Sequence, residues 1–586
     1  MSSPFYINSL SKTTKGGFTS NIGQHPWRLL SSSSPCKSSS RVCRFMVSLP
    51  RATIAMPLTH ANNFLLANGD KTKANSSPEV DVLHSRIDEL NQKTRKVLMA
   101  TSNPKMKMKL LDTIQRLGIG YSYDEEIIHK LIDPDEGQLD DDLCTVALRF
   151  RLQRTNGLHT NSDVFGPFLD ANGKFKESSI QDIETMLSLF EASYLGANGE
   201  DILSHAKEFT TIHLMKSVPQ LTPTQREDVL HSLELPRHLR MARLESRRYI
   251  EEYGNESDHI PILLELAKLE YNQVQSLHQM ELAEITRWWR HLGLVTKLTF
   301  ARDRPLECFL WSVGLLPESK YSAIRIELAK TISILLVIDD IFDTYGSYDD
   351  LVLFTKAIQR WDLNEMEHLP EYMKICYMAL YNTTNEICFE VLKKHGLSVL
   401  PFLRKTWIDM VEAFMVEAEW RNGGNTPNLK EYIENGVTTA GTYMAMVHLF
   451  FLMGEGVTIE NMRTLHDSYP SFFSVAGTIL RLWDDLGTSK EEQERGDVES
   501  SIQLVMKEKN ITSEEEGRKQ ILHLIHTSWK ELNATLVTPD ALPLSIIKVA
   551  LNMSRASQVI YQHDQDTYFS GVDDHVKYLF FTPIDM

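Results

Sequence analysis

Two acidic clusters, Asp339-Asp340-Ile341-Phe342-Asp343 and Asp484-Asp485-Leu486-Gly487-Thr488-Ser489-Lys490-Glu491-Glu492, each follow an apolar stretch. Carboxylate and hydroxyl oxygens are hard ligands of the kind that hold Mg²⁺ against a phosphate. Aimed at one point, the two sets suit several such ions around a diphosphate.

The elements before them must be helices for this to work. Glu327 to Phe342 is apolar nearly all round, the pattern of a buried helix. Four-residue spacing puts Asp339 and Asp343 about 40° apart around the axis, whereas Asp340 points about 100° away. Asp339 and Asp343 therefore share metal in this reading, and Asp340 takes a structural bond. Alone, the cluster also fits a solvated acidic helix end. Over Pro470 to Glu494, Arg481, Asp484, Thr488 and Glu492 fall on one stripe about 80° wide. Starting instead from Asp485 loses the second carboxylate. The runs Asp133-Pro-Asp-Glu and Asp140-Asp-Asp lack a preceding apolar helix and read as solvated surface.

Length and charge narrow the function further. A chain of 586 residues is long for one core and implies two domains. No apolar run reaches the 18 residues of a membrane span. Six scattered cysteines imply neither a zinc site nor a disulfide framework. Residues 1–69 contain no Asp or Glu, seven Lys or Arg, and serine tracts, as organelle transit peptides do. Without that leader, 54 basic residues stand against 78 acidic ones, a net charge of −24. Such a surface repels nucleic acid and anionic lipid. Neither is expected as a partner.

The polar, breaker-rich segment 70–79 reads as a linker. From about Val80 the apolar residues recur at helical steps and β alternation is absent. The expectation is an all-α, two-domain chain, with a boundary near 275–290 and the chemistry in the second domain.

In this combination and order the motifs resemble those of the class I plant terpene synthases. Asp339–Asp343 resembles the family's aspartate-rich motif. Asp484/Thr488/Glu492 resembles its second metal motif, with Asp for the usual Asn. Arg302-Asp303-Arg304 resembles its paired arginines, and Trp311 stands where a pocket aromatic is expected. Trp288-Trp289, Leu148-Arg-Phe-Arg-Leu and Asp163-Val-Phe-Gly-Pro-Phe extend the likeness over nearly everything from residue 80 onward. The resemblance implies a catalytic α-bundle at 286–586 behind a helical, α/α-barrel-like domain at 80–285. It implies a prenyl diphosphate substrate and three Mg²⁺ ions, with Mn²⁺ as a substitute, held by Asp339, Asp343, Asp484, Thr488 and Glu492. Arg302, Arg304 and Arg481 would grip the diphosphate, with Asp339, Asp343, Asp484 and Trp311 also facing the substrate. Asp566 and Tyr568 match a pair tied to lid closure and proton handling. The bland alternatives are surface ion pairing of Arg302 and Arg304 with Asp303 or Glu307, and a polar C-terminal loop. Thr438-Thr-Ala-Gly441 could break a helix beside the cavity, and His448 reads as a packed core histidine.

Departures from the family pattern sharpen the expectation. The tandem arginines followed by Trp are missing: Arg41, Arg44 and Arg51 stand apart and Trp27 is isolated. The subgroup lacking that motif makes acyclic alcohols. Ser500 stands where many relatives have a diphosphate-contacting lysine. No Asp-x-Asp-Asp motif occurs, which argues against protonation-started cyclisation. The expected enzyme is thus a monomeric lyase of the plastid stroma that ionises geranyl diphosphate, with water capture giving linalool. Farnesyl diphosphate would give nerolidol. The alternatives are geraniol, ocimene or myrcene as product, or a chain-elongating prenyl synthase.

Overall fold

Helix-period burial organises the described residues, and among them the isolated bridge Leu169–Phe175 is the only strand-like pairing. The computed structural model describes residues 78–132, 142–180, 182–423, 426–495, 499–538, 542–562 and 570–586. The expected leader, nearly all of the linker, Asp566 and Tyr568 lie outside these residues, as does the side chain of Glu492.

Eight helices carry the site. They are α1 (Pro261–Leu292), α2 (Pro305–Leu315), α3 (Ser322–Asp340), α4 (Leu400–Gly423), α5 (Leu429–Thr439), α6 (Thr442–Met453), α7 (Ser471–Arg495) and α8 (Leu544–Tyr561). Proline at the first position of α1 costs no hydrogen bond, and Gly293 in the left-handed region (φ 65°) ends it. The helix runs unbroken through residues 285 and 286, where the sequence suggested a domain boundary.

α3 is buried on every side, through Leu328, Ile334, Val337 and Ile338. It packs against α1, α2 and α6. α7 packs against α5, α6 and α8, so the two acidic motifs approach from opposite walls of one bundle. One apolar core joins α6, α7 and α8 to Leu143, Phe150 and Leu239 of the N-terminal half. The C-terminal segment returns to α1, where Asn272, Gln275 and Gln279 donate to the carbonyls of Ile584, Tyr578 and Phe580 at 2.7–2.9 Å.

α5 and α6 would make one apolar rod but for Ala440 and Gly441, the latter at φ 77°. By length and composition Leu429–Met453 could cross a membrane, yet 83% of its apolar window is buried inside the protein. The break expected at Thr438–Gly441 is present and borders the cavity described next.

Candidate active site

A cavity of about 300 Å³ opens between the ends of α3 and α7, floored by α2, α4, α8 and the α5–α6 break. Asp339, Asp343, Asp484 and Thr488 line it together with Arg302, Arg304, Arg421 and Arg481. Trp311, Leu335, Phe414, Met444 and Met553 supply apolar wall. Charge and apolar surface thus share one chamber.

Helix α3 delivers the first acidic motif but does not stay α-helical through it. Residues Ile341–Tyr345 form a π-turn, closed by the Gly346 N–H donating to the Ile341 carbonyl at 2.8 Å. Asp343 therefore leaves the α-helical register assumed from its spacing. Asp340 takes the structural role expected of it. It accepts the Arg302 backbone N–H at 2.8 Å and lies 2.7 Å from Arg302 Nε as an ion pair. The Arg302 guanidinium also pairs with Asp339. Trp289 Nε1 donates to Asp303 at 2.9 Å, and Arg304 Nη1 lies 3.3 Å from Glu307. The surface pairing weighed for Arg304 with Glu307 is thus present, beside a cavity that Arg304 also lines.

The second motif keeps regular helical phase. Arg481 Nη1 lies 3.2 Å from Asp484, and Thr488 Oγ1 donates to the Asp484 carbonyl at 2.8 Å. Asp485, one residue out of phase, is fully buried. It accepts from Arg481, from the Tyr432 hydroxyl (2.9 Å) and from the Ser501 N–H (2.9 Å). Ser500 caps the next helix through a capping box. Trp311 packs against Tyr561 with ring centroids 6.0 Å apart. His448 is a core histidine: it is wholly buried, its Nδ1 donates to the Met444 carbonyl at 2.7 Å, and burial pulls it down to about 4.

Two charged cavity residues escaped the sequence reading, Glu417 and Arg421 on α4. Glu417 accepts from Thr439 Oγ1 at 2.8 Å, and Arg421 clasps the π-turn. Their signal was available: Phe414, Glu417 and Arg421 recur at helical spacing along one face of α4.

Electrostatics favour added cations. Burial pushes the Asp484 carboxyl up against the pull of Arg481, and Asp485 and Asp339 add to the rise. Burial also raises Glu417, opposed by Arg481 and the Thr439 bond. Burial thus makes the charged form of these carboxyls costly, and added cations would offset that cost and the charge of a diphosphate. The donors are carboxylate and hydroxyl oxygens, without His or Cys, which matches a hard divalent ion. No three His, Cys, Asp or Glu among the described residues form a ready-made cage. Mg²⁺ suits that case, because it completes its shell with phosphate and water oxygens.

Comparison with known proteins fixes the family. Residues 290–531 match the metal-binding domain of the terpene synthase family, and residues 60–233 match the terpene synthase N-terminal domain. The chain belongs to the terpene synthase family. It is 64% identical to a chloroplastic monoterpene synthase of Cananga odorata, over 85% of each chain. It is 58% identical to a chloroplastic geraniol synthase of Ocimum basilicum, over 92% of this chain and 94% of that one. A chloroplastic R-linalool synthase of the same plant is 52% identical, over 91% and 94%. The solved isoprene synthase of grey poplar, in complex with three Mg²⁺ ions and dimethylallyl-S-thiolodiphosphate, superposes with a TM-score of 0.81. It is 36% identical, over 86% of this chain and 98% of that one. This synthase is accordingly a lyase with the class I terpenoid synthase fold.

Proposed function

We propose that this synthase ionises geranyl diphosphate and delivers the allylic cation to water as an acyclic monoterpene alcohol. The observation that carries the reading is the single cavity in which Asp339 and Asp343 confront Asp484 and Thr488 over an apolar, aromatic wall. Three divalent ions, Mg²⁺ or in its place Mn²⁺, held by these residues and Glu492, would stabilise the charge developing on the departing diphosphate. Arg302, Arg304 and Arg481 present permanent charges that fork onto phosphate oxygens and grow in value as the C–O bond breaks. Trp311 offers its π-face to the cation left behind. Asp566 and Tyr568 are assigned to lid closure and proton handling.

The cation shares its charge between two carbons of the allyl system. Water at the terminal carbon gives geraniol, and water at the tertiary one gives linalool. Linalool is the product expected from the sequence, and the identity to the geraniol synthase (58%) beside that to the linalool synthase (52%) supports geraniol as the rival alcohol. Farnesyl diphosphate would enter the same chemistry and yield a C15 alcohol such as nerolidol. The acid-free leader and the chloroplastic relatives support import into the plastid stroma. Residues 286–586 are taken as the catalytic bundle, 80–285 as its helical support, and the chain as a monomer.

The test is chiral gas chromatography of products from purified enzyme given geranyl or farnesyl diphosphate with Mg²⁺. An acyclic C10 alcohol from geranyl diphosphate alone is expected. Cyclic products, or turnover only with added isopentenyl diphosphate, would overturn the proposal.

A further inference from the structure

Helix α8 separates two cavities. Met553 and Tyr561 border the candidate active site, whereas Lys548, Asn552 and Arg555 border a second cavity of about 490 Å³. Helix Ala242–Asn255 supplies part of the second cavity's other wall, through Arg243. Leu315 lies on both linings, and Asn552 donates to its carbonyl at 3.0 Å.

The charge of this second lining is opposite to that of the molecule. Eight Lys and Arg face five Asp and Glu, in a chain whose net charge is −17. Five of the cations are paired: Arg151 and Arg237 share Asp112, Arg116 and Arg240 share Glu245, and Lys320 has Glu318. Arg243, Lys548 and Arg555 make no ion pair among the described residues. Asp124 acts on Lys548 and Glu270 on Arg243 only from beyond ion-pair distance, and Arg555 shows burial alone.

Two of these cations, Arg243 and Arg555, are also withdrawn from water. Arg243 is only 7% exposed and its Nε has no hydrogen-bond partner; its charge rests on the Tyr271 ring, 4.0 Å away. Arg555 spends its donors on neutral groups, the His238 carbonyl at 2.7 Å and Asn552 Oδ1 at 2.8 Å. Burial pulls it down to about 10. A withdrawn cation without a counter-ion is costly, and an anion that reaches it through the cavity removes the cost. Lys548 and Arg555, seven residues apart, share one face of α8 with a rise of about 10 Å between them. That span exceeds one phosphate and fits an elongated, multiply charged anion.

We propose that the second cavity binds a diphosphate-class anion along the Lys548–Arg555 face of α8, opposite Arg243. The inference goes beyond the proposed function, since it concerns a chamber with no part in ionising the substrate. Inorganic diphosphate, the class of leaving group that a terpene synthase releases, is the natural probe.

The experiment uses the full chain stripped of divalent metal on a chelating resin. Inorganic diphosphate is titrated against the thermal midpoint, with ionic strength held constant by chloride. A saturable rise is expected, because ligand binding to the folded state stabilises it. Lys548→Gln and Arg555→Gln should each weaken the half-saturating concentration at least about 5-fold, the loss of one charge-assisted contact. In an Arg302→Gln background, which weakens the active-site grip, the losses caused by the two α8 substitutions should persist. The proposal is overturned if the native chain shows no saturable rise, if both α8 substitutions leave it intact, or if the Arg302→Gln background abolishes the rise or those losses. Should Arg555→Gln fail to fold, Lys548→Gln decides alone.

Discussion

Arg421 holds Asp343 by its backbone: its two Nη atoms donate to the Phe342 and Asp343 carbonyls at 2.7 and 2.5 Å. These are carbonyls of the π-turn, which the helix above does not engage. The same guanidinium lies 3.8 Å from the Asp343 carboxylate, too far to neutralise it fully. It thus sets the direction of a candidate ligand without competing for its oxygens.

Arg421→Gln tests this role. Loss of an outer-sphere support commonly costs 10–100-fold in metal affinity. The Mg²⁺ concentration for half-maximal rate should therefore rise by roughly 10-fold, with a smaller loss of kcat at saturating metal. An unchanged Mg²⁺ requirement would show that the clasp is only structural.

Asp485 behaves differently, although it adjoins a candidate ligand. Its carboxylate is sealed from solvent and fixes Arg481, Tyr432 and the start of helix Ser501–Glu508 at once. Removing one partner of a buried ion pair strands the other and costs about 3–5 kcal/mol. Asp485→Ala should lower the urea midpoint clearly and reduce turnover with it. Asp339→Ala, by contrast, should abolish turnover while helical circular dichroism is preserved. The two substitutions separate scaffold from chemistry.

Regular helix made one motif legible and a local irregularity hid part of the other. Arg481, Asp484 and Thr488 fall where α geometry places them because α7 has no interruption before Arg495. Asp343 could not be placed that way. The π-turn depends on a bond to Gly346 and on Arg421, a residue 78 positions downstream. Glu417 and Arg421 are periodic with Phe414, but nothing in α4 alone says which helix it faces. The boundary near 275–290 was drawn from a change in apolar density, and chain continuity through α1 leaves no trace in such a signal.

Buried histidines make the fold acid-sensitive. Burial pulls His238 down to about 3 and His278 and His448 to about 4. Each is neutral when folded and takes a proton on unfolding below about 6.5. The unfolded state then binds more protons, so stability is fully present above that value and falls as pH drops from about 6.5 towards 4. Three such groups give a slope of at most about 4 kcal/mol per pH unit. Urea midpoints measured at pH 7.5, 6 and 5 should fall progressively. His448→Gln should flatten the dependence, and an unchanged slope would show that His448 is not responsible.

Gly441 offers the sharpest test of how the helix break shapes the reaction chamber. Its φ of 77° suits glycine, and a Cβ there would lie 2.3 Å from Leu335 Cδ1. Leu335 lines the cavity, so Gly441→Ala must push that side chain inward or distort the break. Left-handed strain alone costs about 1–2 kcal/mol for a residue with a Cβ. The variant should be less stable and its alcohol product ratio should change. Leu335→Ala removes the clashing atoms and should restore turnover in the Gly441→Ala background, leaving only the strain. If the double variant is no more active than Gly441→Ala alone, the two residues are not coupled and the break acts through the backbone.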